Sequence, residues 1–107
     1  YKQCWGRNWV DGQGESVGFN TVLPPNSPSC GGNSINRDNQ TTVLPPNSYH
    51  PGGVGAAFAD ASVRFVIDTI DTGNLGTAIT YKTAGPSPHG VWGALGSKAG
   101  GEQSRYE

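Results

Sequence analysis

The sequence contains no methionine and no long apolar run, and it is poor in both hydrophobic and charged residues. Only 34% of its 107 residues are hydrophobic and 14% are charged. A membrane-spanning helix needs about 20 mostly apolar residues, so we predict neither a transmembrane segment nor a signal peptide. The absent initiator methionine predicts a processed chain, or one that begins downstream of its true N-terminus.

Charge and motifs narrow the functional classes. Seven basic and eight acidic residues are scattered along the chain and give a net charge of −1. Without a basic patch, nucleic acid and anionic membrane surfaces are poor partners. The chain has no GxSxG, phosphate-binding-loop, HExxH or GxGxxG motif, and His89 has no evident nucleophile partner. We therefore predict that the protein is not an enzyme.

The composition favours strands and turns. Seventeen glycines and eight prolines predict a single domain, residues 1–107, that is mainly β, with an antiparallel sheet, long Gly/Pro-rich loops and little helix. Runs of β-forming residues between turn residues locate the elements. We predict strands at residues 4–10, 17–23 and 77–83, a loop at 24–40, a helical turn at 67–74, a strand or helical turn at 91–95 whose Trp92 covers the sheet, and a frayed tail at 96–107.

Residues 50–66, HPGGVGAAFADASVRFV, predict a β-hairpin. If Asp60 and Ala61 form a two-residue turn, side chains that alternate along each strand create one wholly apolar face. A slip of one residue would destroy this pattern, so we predict a well-specified register. The facing pairs on the apolar face would be Phe58/Val63, Ala56/Phe65 and Val54/Ile67.

A seven-residue repeat precedes the hairpin. The sequence TVLPPNS occurs at residues 21–27 and again at residues 42–48. Two copies are too few for a solenoid, which needs about three repeats to bury a core. We interpret the repeat as one device used twice: a Thr-Val-Leu strand ended by Pro-Pro, because proline lacks the N–H that a strand ladder needs. A Pro-Pro pair is alternatively a ligand for an aromatic groove.

His50 and Asp60 are the most prominent polar pair of the hairpin. A fully extended strand between them would separate the two residues by roughly 30 Å, too far for a catalytic dyad. A fold-back at Pro51-Gly52-Gly53 would shorten that distance and allow a metal or acid–base pair. The alternative, which we favour, is structural: His50 caps a loop and Asp60 starts a turn through its side chain.

The spacing of this pair and two further segments match a known pattern. His50 is followed, after nine residues, by Asp60, within the strings HPGGV, FAD and SVRF. With GFNTVLPPNSPSC at residues 18–30 and GPSPHGVWGALGSKAGGE at residues 85–102, these strings resemble bacterial prepilin-type, pseudopilin-like proteins. That family has Asp-Gly where this chain has Asp60-Ala61, and an alanine there predicts another turn type or a bulge. The signature residues, to which we assign a structural role, are His50, Pro51, Gly52, Gly53, Asp60 and Ala61.

The resemblance implies a fold and a function. The chain would be the C-terminal head part of an α+β pilin-like protein whose N-terminal helix, on which the sheet packs, is absent here. It would be a non-enzymatic structural subunit, exported to the periplasm or cell surface, that assembles in a type II secretion or type IV pilus-like system. Its partners would be other pilin-like subunits or secretion-machinery proteins, with membrane contact only through the missing helix.

A binding module is the alternative function. Such a module would recognise glycan or peptide outside the cell, through aromatic side chains and the Pro-Pro loops. In a small core the same aromatic residues would instead be the core itself, since each buries a large area. These residues are Trp5, Trp9, Trp92 and Phe19.

The resemblance also bears on the cysteines and on calcium. Export implies a disulfide between Cys4 and Cys30, which would constrain the unfolded chain by roughly 3.5 kcal/mol; in a cytosolic protein both would be free thiols. Some pseudopilins bind calcium, which prefers several oxygen ligands. The candidate ligands, each more simply part of a polar turn, are Asp11, Glu15, Asp68 and Asp71. We predict no resident cofactor.

Overall fold

The computed structural model describes residues 10, 17–31, 42–77, 85–98 and 100–101. Within these residues the chain forms two two-stranded antiparallel sheets and a short helix. In chain order the elements are β1 (Cys30–Gly31), β2 (Thr42–Val43), β3 (Gly53–Ala57), β4 (Val63–Ile67) and α1 (Gly90–Leu95). The described part confirms a mainly β fold with little helix. It includes no helix of the length and hydropathy needed to cross a membrane.

The central hairpin forms as predicted, but its turn has three residues instead of two. The Ala61 N–H donates to the Phe58 carbonyl at 3.0 Å, and the Phe58 N–H donates to the Ser62 carbonyl at 2.9 Å. Ala61 has φ 65°, the left-handed conformation that completes a three-residue loop with a bulge. Ala61 thus stands at the position that glycine suits best, at a cost of roughly 1–2 kcal/mol.

The extra loop residue shifts the register by one and inverts the face that β4 turns towards the core. Val54 lies opposite Val66, and Ala56 lies opposite Arg64. Since side chains alternate along a strand, a one-residue slip moves every β4 side chain to the other face. The predicted apolar face is therefore wrong on β4, because hydrophobic residues stand at both odd and even positions of that strand. The three pairs that the slip makes wrong are Phe58/Val63, Ala56/Phe65 and Val54/Ile67.

The core lies between the hairpin and α1. Its buried residues are Val54, Val66, Ile70 and Trp92, with Ala56, Val91 and Leu95 packed against them. Trp92 is 2% exposed, and its indole Nε1–H donates to the Leu23 carbonyl at 2.8 Å, which satisfies the polar end of the buried ring. The prediction that residues 91–95 cover the sheet with Trp92 is confirmed, in the form of a helical turn.

Two other predicted elements are wrong. Residues 17–23 form no strand, because Asn20 uses its backbone and side chain to hold a different segment. Residues 67–74 form no helical turn; Ile67 ends β4, and a single hydrogen bond from the Ile70 N–H to the Ile67 carbonyl closes the turn after it. The predicted elements that lie outside the described residues are the strand at 4–10, nearly all of the strand at 77–83 and most of the tail at 96–107.

Candidate functional site

Two glycines shape the start of β3, where a fold-back would have brought His50 towards Asp60. Gly52 has φ 81°, a conformation that residues with side chains rarely adopt. A Cβ added to Gly53 would lie 2.8 Å from a ring carbon of Phe65, so only glycine lets that ring lie across β3. The Pro-Gly-Gly string is therefore part of the hairpin's packing rather than a hinge.

Asp60 organises the hairpin turn through its carboxylate. Its Oδ1 accepts the Ser62 N–H at 2.9 Å and the Ser62 hydroxyl at 2.6 Å. Arg64 lies 3.9 Å from the other carboxylate oxygen and 5.2 Å from the centre of the Phe58 ring. The hydrogen bonds from Ser62 lower the pKa of Asp60, with a smaller contribution from Arg64. The carboxylate is exposed, so these contacts order the turn, as the structural interpretation of Asp60 requires.

His50 lies at the opposite end of β3 from Asp60. The residue is exposed, and its backbone N–H donates to the Ser48 hydroxyl oxygen at 3.1 Å. Within the described residues its side chain makes no hydrogen bond or ion pair. The structure therefore does not bring the two signature residues together, and this geometry supports a role in shape for both.

The other histidine, His89, is buried at the start of α1. Its backbone N–H donates to the Ser87 hydroxyl oxygen at 3.3 Å, and its carbonyl accepts the Gly93 N–H at 2.8 Å. In the described structure the ring atom Nδ1 is buried without a hydrogen-bond partner. An imidazole packed in this way supports the end of the helix and is not placed to meet a substrate.

The calcium candidates are dispersed. Asp68 accepts a hydrogen bond from Asn26 Nδ2 at 2.8 Å, and Asp71 accepts the Gly73 N–H at 2.9 Å. Each described carboxylate thus holds a turn or a neighbouring side chain. Across the described ranges, no three His, Cys, Asp or Glu side chains form a group that could hold a metal ion. The two candidates outside those ranges are Asp11 and Glu15.

The cysteine and aromatic predictions fall partly outside the described residues. Cys30 is exposed and free, whereas Cys4 is not among the described residues, so their disulfide stays a prediction. Trp92 belongs to the core, and the half-exposed Phe19 stacks on it with ring centroids 6.4 Å apart. Trp5 and Trp9 also lie outside the described residues.

Sequence reasoning missed a pair of asparagines, the asparagine clamp, that holds the second copy of the repeat. The Asn20 N–H donates to the Leu44 carbonyl at 2.9 Å, and the Asn20 Oδ1 accepts the Leu44 N–H at 3.2 Å. The Asn26 N–H donates to the Pro46 carbonyl at 2.9 Å, and the Asn26 Oδ1 accepts the Ser48 N–H at 2.8 Å. Each asparagine therefore offers a backbone donor and a side-chain acceptor to an extended segment. The repeat itself was the available signal.

Sequence reasoning also missed the outer face of the hairpin, which lies opposite the core. Its residues are Gly53, Gly55 and Ala57 of β3 and Val63, Phe65 and Ile67 of β4. Val63 is 75% exposed, Phe65 48% and Ile67 46%. Antiparallel sheets with one solvated face normally carry polar side chains there, and exposed apolar patches mark interaction sites. The outer face is thus the described surface with the clearest capacity to bind something.

These features define the class of protein: a small antiparallel β domain built around a signature hairpin. A family model described as "Protein of unknown function (DUF1559)", SBP_bac_10, matches residues 2–73, which is well over half of the chain. The chain belongs to this family. The matched region includes the hairpin and both copies of the repeat, while α1 lies beyond it. No curated protein and no solved structure matches the chain.

Proposed function

We propose that this protein is a non-enzymatic structural subunit, a prepilin-type exported protein that acts by assembly in a type II secretion or type IV pilus-like system. Its family is associated with pilin-like and secretion proteins. The observation that carries the proposal is the exposed, apolar outer face of the hairpin, since such a face is suited to contact with another protein.

The chemistry of the signature residues supports assembly over reaction. General acid–base catalysis needs groups within hydrogen-bond reach of one reacting atom. His50 and Asp60 lie at opposite ends of β3, and Asp60 directs its carboxylate to the turn. Gly52, Gly53 and Ala61 serve backbone conformation and packing. A signature of this kind preserves a shape.

The proposal includes a location and a set of partners. The head would stand in the periplasm or at the cell surface, anchored by an N-terminal helix, where the Cys4–Cys30 disulfide can persist. Its partners would be other pilin-like subunits or secretion-machinery proteins.

The test joins this head to the N-terminal segment encoded by its own gene. We expect processing by a prepilin peptidase and cross-linking to pilin-like or secretion-machinery proteins in cells that express both. His50→Ala should retain assembly, because the exposed side chain makes no described contact. A conventional signal peptide in the native gene, or the lack of any partner for the complete subunit, would contradict the proposal.

The alternative, a glycan- or peptide-binding module, has less support. Trp92 is buried, and one proline of each Pro-Pro pair, Pro25 and Pro45, is buried as well. Saturable binding of the chain to a glycan or to a short peptide, abolished by Phe19→Ala, would favour this module.

A further inference from the structure

The outer face has a raised side and a flat side. On β4 the side chains of Val63, Phe65 and Ile67 project from it and are exposed. On β3, Gly55 stands opposite Phe65, and Ala57 stands opposite Val63. Facing residues of an antiparallel pair lie about 5 Å apart. A ridge of large apolar side chains therefore runs beside a trough that has almost none.

The trough is open at Gly55. A Cβ added to Gly55 would meet no atom within 4 Å, whereas one added to Gly53 would meet the Phe65 ring. The ring thus leans over Gly53 and leaves space above Gly55. In a pair of molecules related by a two-fold axis, each surface patch meets its own copy, so the ridge of one can enter the trough of the other.

Charge does not oppose such a pair. The outer face carries no charged side chain, and Arg64 lies on the opposite face, where it contacts Asp60 and Phe58. Two copies could therefore meet without like-charge repulsion and without burying an unpaired ion.

The size of the face sets the expected strength. The three ridge side chains expose together on the order of 300 Å², below the roughly 800 Å² per partner of a stable interface. The face therefore suits a weak, reversible contact. Such a contact becomes effective when other interactions hold subunits at high local concentration.

We propose that the outer face binds the outer face of a second copy of this chain, with the Phe65 ridge of each copy in the Gly55 trough of the other. A second copy is favoured over an unrelated partner because one copy supplies both halves of the fit. The inference rests on the proposed assembly function, and it names the surface and the partner of a contact between heads.

Sedimentation of the 107-residue chain tests this pairing from about 10 μM to about 1 mM, the range in which a weak dimer dissociates. We expect a saturable equilibrium between monomer and dimer. Gly55→Thr should weaken it about tenfold or more by filling the trough, while the thermal midpoint of the monomer stays the same or rises, because the site is open and strands favour β-branched residues.

Charge variants separate a specific contact from general stickiness. Val63→Lys places a cation on the ridge and should abolish dimerisation. Leu75→Lys is the matched control, because it replaces an exposed apolar residue outside the hairpin, and it should leave dimerisation unchanged. Equal losses in the two variants would overturn the inference, as would a chain that stays monomeric at about 1 mM or association that grows without saturating.

The outcomes also separate this inference from the proposed function. If the chain is monomeric but the complete subunit still assembles, the pairing of outer faces fails alone. If the chain dimerises but the complete subunit finds no partner, the proposed function fails alone.

Discussion

The two copies of TVLPPNS have identical sequences and adopt different structures. The second copy, residues 42–48, begins in β2 and continues without a turn. The first copy, residues 21–27, contains bends and a turn but no strand, and its Asn26 has the left-handed φ of 61°. Asn47, the equivalent residue of the second copy, has no positive φ and makes a local hydrogen bond to the Pro45 carbonyl. The interpretation as one device used twice holds only for the second copy.

Long-range partners explain the difference. The first copy meets the rest of the molecule through the Leu23 carbonyl, which accepts the Trp92 indole, and through Asn26, which donates to Asp68. The second copy instead pairs with β1. Local propensity is the same in both copies, so tertiary contacts alone select the conformation of each.

The largest expected effect comes from the equivalent asparagines. Asn26→Ala removes the hydrogen bonds to Ser48 and Asp68 and leaves an alanine in the left-handed region. We expect a loss of about 3 kcal/mol in the free energy of unfolding. Asn47→Ala, the matched control, should lose about 0.5 kcal/mol, because that residue is exposed and bonds only within its own copy. Chemical denaturation measures both, and equal losses would show that the copies are not distinguished in this way.

The equivalent leucines should differ next. Leu44 is buried, so Leu44→Ala should cost about 2–3 kcal/mol of unfolding free energy. Leu23 is only partly buried and acts through its carbonyl, which survives substitution. We expect about 1 kcal/mol for Leu23→Ala. A larger loss at Leu23 than at Leu44 in the same denaturation series would reverse the comparison.

Glycine should have opposite effects at the two described non-glycine residues with positive φ. At Asn26 it relieves the backbone but removes both side-chain hydrogen bonds, so Asn26→Gly should destabilise. At Ala61 there is no such bond to lose, and Ala61→Gly should raise the free energy of unfolding by about 0.5–1 kcal/mol. Ala59→Gly, in the same loop but without positive φ, should lower it. A destabilising Ala61→Gly would argue against the left-handed turn.

The smallest expected difference between these two turns is in their response to acid. Asn26 is neutral, whereas hydrogen bonds from Ser62 lower the pKa of Asp60 in the folded protein. The contribution of Asp60 is therefore present above its unfolded-state pKa and is lost as the pH falls through its folded-state pKa. NMR titration should find the carboxyl of Asp60 ionising below the usual range for aspartate. Asp60→Asn should weaken the acid dependence of stability in that window, and an unchanged profile would contradict this assignment.

The hairpin shows how far sequence patterns reach. The strands, the turn region and the helical turn around Trp92 follow from local patterns that a single segment carries. The register does not, because β4 has apolar residues at Val63, Phe65, Val66 and Ile67, so either face could have been buried. One added loop residue, Ala61 in its left-handed conformation, decided between them.

The candidate site divides in the same way. The turn role of Asp60 was predictable, because an aspartate side chain bonds backbone two residues ahead. The asparagine clamp and the exposed outer face were not, since both depend on which distant segments meet. Sequence alone determined that this protein has a β-hairpin with a polar turn, a glycine-shaped start and a tryptophan to cover it. Only the tertiary structure decided which face of β4 is buried and which copy of the repeat is extended, because those choices are set by contacts between segments far apart in the chain.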